Sequence, residues 1–97
     1  MLYMSVFSYE PEKRYDVVKK RMELGLPTEG AKVIGQWSYL GFGKIFTLFE
    51  ANDPMAIIEA QAPYDMGKFE VFPLIETEKM LNLLTQQVQK TPALVGT

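Results

Sequence analysis

The chain has 97 residues, of which 47% are hydrophobic and 23% charged, and this size and balance are typical of one globular domain. Its net charge of −2 argues against a broad nucleic-acid-binding surface. The sequence contains no cysteine and no histidine, which excludes disulfides and removes the commonest general base, metal ligand and haem ligand, so we expect neither a metal nor another cofactor.

The first two predicted elements are a strand and a helix. Residues 1–8 are apolar on both faces, which predicts a central strand. Pro11, flanked by acids, favours a helix start, and Gly25 and Pro27 end that helix. Apolar side chains at helical spacing predict its buried face: Tyr15, Val18, Met22 and Leu26. Acids are interspersed among its basic residues, which we interpret as an ordinary solvated face: Lys13, Arg14, Lys19, Lys20 and Arg21.

Residues 31–50 predict a hairpin, because β-branched and aromatic residues flank a glycine-containing turn. The predicted register places Trp37 opposite Phe46 and Val33 opposite Glu50. One face then carries apolar side chains with a carboxylate at its end: Val33, Trp37, Phe46, Leu48 and Glu50. The other face carries a mixed set: Ile34, Gln36, Ser38, Ile45, Thr47 and Phe49. Neither face is predicted to be left to water.

Two helices and a strand follow the hairpin. Residues 52–54 (Asn-Asp-Pro) predict the capped start of a short helix, which Pro63 closes. Residues 68–76 predict a strand, and Pro73 places that strand at a sheet edge or a bulge because proline lacks an N–H donor. A last helix is predicted to begin at Thr77.

This element order predicts an α+β fold, a ferredoxin-like βαββαβ sandwich with an extra C-terminal helix. We expect one domain over residues 1–90 and a frayed tail over residues 91–97. Two helices would cover one face of the sheet and leave the other bare. Because every strand is apolar on both faces, we expect a homodimer in which a second copy covers the bare face, sheet against sheet. The alternative is that the terminal helix folds back over its own sheet.

Five short patterns suggest a family: Gly25-Leu26-Pro27, Trp37, Gly43 through Phe46, Glu50-x-x-Asp53-Pro54 and Phe69-x-Val71-x-Pro73-Leu74. They resemble a group of small microbial proteins known only as a domain of unknown function and similar to the dimeric α/β-barrel superfamily. The resemblance covers about residues 1–80 and implies a homodimer whose two sheets form a barrel. The wider superfamily includes cofactor-independent monooxygenases, isomerases, decarboxylases and haem-binding enzymes. Related sequences carry a tryptophan late in the second helix, where this chain has Gln61-Ala62-Pro63.

Two carboxylates are the candidate catalytic residues. Glu50 ends the third strand on the face of Trp37 and Phe46, where apolar neighbours would favour a carboxyl group that carries a proton. The simpler alternative is a strand end in water. Glu70 interrupts an apolar edge strand and is the second candidate, although edge strands often carry a charge that discourages aggregation.

The candidate ligand-binding residues combine rings with polar groups. Aromatic side chains with a polar tip could line a pocket for a hydrophobic ligand, although such residues more often belong to the core. An amide on the mixed face of the hairpin could orient a ligand or lie at a subunit contact. The set is Tyr3, Trp37, Tyr39, Tyr64 and Gln36.

An RNA-binding alternative rests on one short segment. RNA-recognition domains share this element order, and residues 40–46 (Leu-Gly-Phe-Gly-Lys-Ile-Phe) resemble their third-strand signature, with residues 2–4 as the first-strand partner. Leu40 stands where a basic residue is expected, and Lys44 stands where an aromatic stacking residue is expected. Nucleic acid is therefore not the expected partner.

Two functional hypotheses follow. The first is a homodimeric barrel that binds a small apolar or aromatic compound and could transform it without a cofactor, as a monooxygenase or an isomerase does. The second is a non-catalytic ligand-binding or assembly module. The amino terminus lacks the basic start of a signal peptide, and no apolar run approaches the roughly 20 residues of a membrane span, so we expect a cytoplasmic protein without membrane contact.

Overall fold

The computed structural model describes residues 1–27 and 29–90. The described residues form β1 (Leu2–Tyr9), α1 (Arg14–Leu24), β2 (Ala31–Ser38), β3 (Lys44–Ala51), α2 (Pro54–Gln61), β4 (Gly67–Leu74) and α3 (Thr77–Lys90), with a 3-10 turn over Pro11–Lys13 before α1. The predicted element order is confirmed. The tail predicted for residues 91–97 lies outside the described residues.

The four strands form one antiparallel sheet in the order β2-β3-β1-β4. This arrangement confirms the predicted α+β fold of the ferredoxin-like type. β1 is central, as its two apolar faces predicted. β4 lies at the edge, which suits Pro73 because the outer side of an edge strand needs no donor.

A β-bulge at Ile34 divides β2 into two halves. The predicted pairing with β3 is confirmed from Gly35 to the turn. Beyond the bulge the register shifts by one residue, so that Val33 lies opposite Phe49 rather than opposite Glu50. The prediction that placed Val33 on the same face as Trp37 is therefore wrong, because the extra residue turns that end of the strand over and packs Val33 against the core.

The core lies between the sheet and α2. Its buried cluster brings together side chains from β1, β2, β3 and α2: Tyr3, Ala31, Phe49, Ala51 and Ile57. The predicted cap of α2 is confirmed, since Oδ1 of Asp53 accepts a 2.9 Å hydrogen bond from the backbone N–H of Met55. Pro54 then occupies the first helical turn, so the position of α2 over the sheet is fixed by its first residues.

The buried face of α1 differs from the predicted one. Val17 is buried, and Arg21, one turn later, is half-buried. Val17 and Val18 lie about 100° apart around the helix, so packing Val17 inward turns the more apolar stripe toward solvent. The residues predicted to be buried are exposed: Tyr15, Val18, Met22 and Leu26.

The face of the sheet opposite α1 and α2 is apolar. The strand registers place eight apolar side chains on it: Leu2, Met4, Val6, Trp37, Phe46, Leu48, Phe72 and Leu74. The largest of them, Trp37, is 56% exposed. We refer to these eight residues as the bare face.

α3 does not cover the bare face. All of its residues from 77 to 89 are exposed, including a run of apolar side chains: Met80, Leu81, Leu83, Leu84 and Val88. The Cα radius of gyration is 18.0 Å, whereas a compact chain of this length has a radius of about 13 Å. The alternative in which this helix folds back over its own sheet is therefore wrong for the described residues. Within the same residues, no helix has the length and apolar character needed to cross a membrane.

Candidate functional site

A cavity of about 310 Å³ lies between the sheet, α1 and α2. Its walls are mostly apolar and include Val17 from α1, Phe49 from β3 and Phe69 from β4. The loop after α1 contributes Leu26 and Pro27 at one end. This volume is at the lower end of the roughly 300–1,000 Å³ that small-molecule sites occupy.

A chain of polar side chains crosses one wall of the cavity. Nε2 of Gln36 donates a 2.9 Å hydrogen bond to Oγ1 of Thr47, which is buried in β3. Oε1 of Gln36 in turn accepts a longer bond, 3.4 Å, from Nη2 of Arg21. The paired strands fix Gln36, and Gln36 orients the guanidinium of Arg21 at the cavity.

Tyr64 follows α2 and closes another side of the cavity. Its ring contacts Phe7 and Phe69 edge-on, with centroids 5.9 and 6.4 Å away. Burial raises the pKa of the Tyr64 hydroxyl above its ordinary value, and the positive charge of Arg21 opposes this with a smaller lowering effect. The phenol is therefore neutral at physiological pH and available as a hydrogen-bond donor.

Gln61, the last residue of α2, places a buried amide at the cavity. Its Nε2 donates to Oγ of Ser5 on β1, whereas its Oε1 has no hydrogen-bond partner among the described residues. Gln61 begins the segment Gln61-Ala62-Pro63, where the resemblance implies a tryptophan in related sequences. Each of these three side chains fills less space than an indole.

The sequence of the chain also identifies its family. The family model described as Domain of unknown function (DUF3303) matches residues 1–88. The chain belongs to this family. No curated protein matches the sequence. The predicted membership of a family of unknown function is thereby confirmed.

The DUF3303 fold brings two of the predicted ligand-binding residues into the cavity, Gln36 and Tyr64. Tyr3 is buried in the core cluster. Trp37 lies on the bare face, and Tyr39 is exposed at the end of the hairpin next to the turn. The predicted set is thus divided between the two sides of the sheet.

The two predicted catalytic carboxylates lie on the side of the sheet that faces away from the cavity. Glu50 is exposed and lies opposite Lys32 in the register of β3 with β2. Glu70 is exposed on the edge strand β4. Their β1 partners, Leu2 and Val6, are four positions apart, which separates the carboxylates by about 13 Å along the strands and about 10 Å across them. Within one chain, the two carboxylates do not converge on one point.

The segment that resembled an RNA-recognition signature begins in a turn. Phe42 lies in the β2–β3 loop with a positive φ of 65°. The guanidinium of Arg14 lies over the Phe42 ring, with its Cζ atom 5.3 Å from the ring centroid. Phe42 therefore ties the hairpin tip to α1, and its side chain is not part of the flat surface of the sheet.

Several cavity residues of this DUF3303 chain are missing from the predicted set, among them Phe7, Gln61, Phe69 and Arg21. The sequence places Arg21 on a solvated face because acids surround it. The available signal was its spacing: Val17, Arg21 and Leu24 form an i, i+4, i+7 series on one helix face. That signal becomes useful only when Val17 rather than Val18 is known to face the sheet.

Proposed function

We propose that the protein binds a small, largely apolar molecule in the cavity under α1 and α2. The observation that carries this proposal is an apolar cavity with a few convergent polar groups, the usual composition of a small-molecule site. Gln36, Arg21 and Tyr64 supply those groups, and the rings of Phe7 and Phe69 supply apolar contact.

Binding is better supported than catalysis in this cavity. Glu50 and Glu70, the carboxylates proposed as proton carriers, are on the opposite side of the sheet. A cofactor-independent reaction that uses them would need a second site on the bare face, formed with another protomer. We therefore assign the cavity to ligand binding, and any turnover that Glu50→Gln abolishes would point to the bare face instead.

The binding proposal is tested with a panel of small aromatic and alicyclic compounds, including indole, 2-naphthol and 3-phenylpropanoate. Side-chain amide signals of Gln36 and Gln61 in nuclear magnetic resonance spectra report on the cavity directly. Ala60 lines the cavity, so Ala60→Phe should fill part of it and weaken binding at least about tenfold. Ile58→Phe, on the exposed side of the same helix, is the matched control and should leave binding unchanged. If no compound moves either amide signal at millimolar concentration, the binding proposal fails.

We also propose that the protein is a homodimer in which the bare faces pack together. Four strands about 4.8 Å apart, each spanning eight residues at about 3.3 Å, give a face of about 500 Å². Charged side chains border the eight apolar ones on this face (Lys44, Glu50, Lys68 and Glu70). An exposed apolar patch of a few hundred Å² on a soluble protein often marks an interaction site. A standard interface buries about 800 Å² per partner, so the sheet alone falls short. The apolar side of α3 supplies the remainder if α3 packs on the partner.

Sedimentation tests the dimer and the part that α3 plays in it. The full chain should sediment as a dimer at micromolar concentration. A chain that ends at Glu76 should form a weaker dimer, which dissociates at higher protein concentrations than the full-length dimer does. Phe72→Glu, on the bare face, should give a monomer, whereas Met22→Glu, on the exposed side of α1, should not. A full-length monomer at these concentrations would contradict the proposal.

A further inference from the structure

The polar groups of the cavity define the chemical class of its ligand. Resting on the proposed binding function, we infer that the cavity takes small aromatic or alicyclic carboxylic acids, whose carboxylate is held by Arg21 and Tyr64 and whose ring lies against Phe7 and Phe69.

Arg21 is a cation without a counter-ion in the described part of the chain. Its one hydrogen bond goes to the neutral amide of Gln36, and no described carboxylate lies within ion-pair distance of it. A guanidinium has five N–H donors in a planar arrangement that matches a carboxylate. Half-buried against apolar walls, Arg21 is more stable with an anion beside it than without one.

Tyr64 adds a neutral donor near the same charge. Tyr64 and Arg21 both line the cavity. Burial raises the pKa of the Tyr64 hydroxyl more than the charge of Arg21 lowers it, so the phenol stays protonated. A protonated hydroxyl donates a hydrogen bond to a carboxylate oxygen, whereas an ionised one would repel it. The pair therefore favours an anion over a cation.

Gln61 leaves a further polar atom open beside the cavity. Its Oε1 has no partner among the described residues. Turning the amide over would let Oε1 accept from the hydroxyl of Ser5 but would leave Nε2 open instead, so one atom is unsatisfied in either orientation. A buried amide atom of this kind favours a ligand that carries a polar group.

The volume and the remaining charge limit the ligand. The cavity, at about 310 Å³, has about twice the roughly 150 Å³ of a cavity that holds benzene. A ring with a short acid side chain fits this space. Glu59 also lines the cavity but is exposed, so its carboxylate is solvated and opposes an anion only weakly.

The experiment compares 3-phenylpropanoate with 3-phenylpropanamide, which have the same shape and differ in charge. Their affinities are measured by calorimetry at low ionic strength, and the amide signals of Gln36 and Gln61 confirm the location. We expect the acid to bind about ten- to hundredfold more tightly than the amide. Arg21→Gln should remove this difference, because it weakens the binding of the acid far more than the binding of the amide. Lys20→Gln makes the same charge change one residue earlier, outside the cavity lining, and should preserve the difference.

The outcomes separate this inference from the binding function on which it rests. Equal affinities for the acid and the amide in the cavity would overturn the carboxylate assignment and leave the binding function standing. If Lys20→Gln removes the preference for the acid as fully as Arg21→Gln does, the preference comes from the overall charge of the protein. That result would also overturn the assignment. If the neutral compounds of the panel bind and the acid does not, the assignment fails again.

Discussion

Ser5 and Gln61, which are 56 positions apart in the sequence, are joined by a buried hydrogen bond from the α2 amide to the hydroxyl of the central strand. Ser5 is 1% exposed and Gln61 is 7% exposed. This bond fixes the end of α2 over β1, where Gln61 lines the cavity.

The bond predicts a strong coupling between the two residues. Ser5→Ala should lower the free energy of unfolding by about 1–3 kcal/mol, because it leaves the Gln61 amide buried without a partner. Gln61→Leu should cost a similar amount by stranding the hydroxyl. The double variant should cost less than the sum of the two, since both polar groups are gone. Denaturant unfolding of all four proteins measures the coupling, and additive losses would show that the bond contributes little.

Ile57 and Ile58 form a matched pair for the packing of α2. Ile57 has no exposed surface, whereas Ile58 is 50% exposed. Ile57→Ala should therefore lower the free energy of unfolding by about 2–5 kcal/mol through lost burial and the space left behind. Ile58→Ala should change it by no more than about 0.5 kcal/mol. Thermal unfolding followed by circular dichroism distinguishes them, and similar losses would mean that α2 does not pack as described.

Tyr64 predicts how stability depends on alkaline pH. Its ordinary pKa of 10.0 is raised by burial in the folded chain. Above about pH 10 the unfolded chain therefore loses the proton first, the folded chain holds more protons, and the free energy of unfolding falls as pH rises. Below that pH the phenol is protonated in both states and contributes no such dependence.

Arg21 should modify this titration in a defined direction. The Tyr64 signal is the difference between the ultraviolet titrations of the native protein and Tyr64→Phe. Arg21→Gln removes the charge that lowers the pKa of Tyr64, so the signal should move to still higher pH. Lys20→Gln serves as the control for net charge. A move to lower pH in Arg21→Gln would contradict the placement of the two side chains.

Trp37 provides an optical test of the homodimer. It is the only tryptophan of the chain and lies on the bare face. If two bare faces pack together, its emission should be blue-shifted at high protein concentration and should move to the red on dilution. Phe72→Glu should give the red-shifted emission at every concentration, while Met22→Glu should behave as the native protein. Emission that does not change with concentration, in samples shown to be monomeric by sedimentation, would refute the packing.

Local sequence signals predicted the elements well where backbone chemistry restricts a residue type to a few positions. Asp53 followed by Pro54 marks the start of α2, because a side-chain acceptor caps the helix and the first helical turn needs no N–H from proline. Pro73 likewise marked β4 as an edge strand. The pairing of Trp37 with Phe46 followed from the turn, since the loop fixes the register of the strands nearest to it.

The site could not be predicted as well, because it depends on which faces meet. α1 has two candidate inward faces, and hydrophobicity favours that of Val18, yet the sheet receives Val17 and with it Arg21. Gly35, next to the bulge at Ile34, is the local signal that could have indicated it, because an isolated glycine inside a strand pattern is typical of a bulge. The inward face of α1 arises from packing between distant segments and carries no such local pattern.

The bulge at Ile34 determines which side chain of β2 faces the cavity. In an unbroken strand, Ala31 and Val33 would share a side with Trp37, and packing them inward would drive the indole into the space between helices and sheet. The inserted residue reverses this phase, directing the Gln36 amide inward and the indole outward. Without Ile34, the indole of Trp37 would occupy the space that the Gln36 amide now faces. The ability of the chain to hold a ligand therefore depends on one position that does not line the cavity.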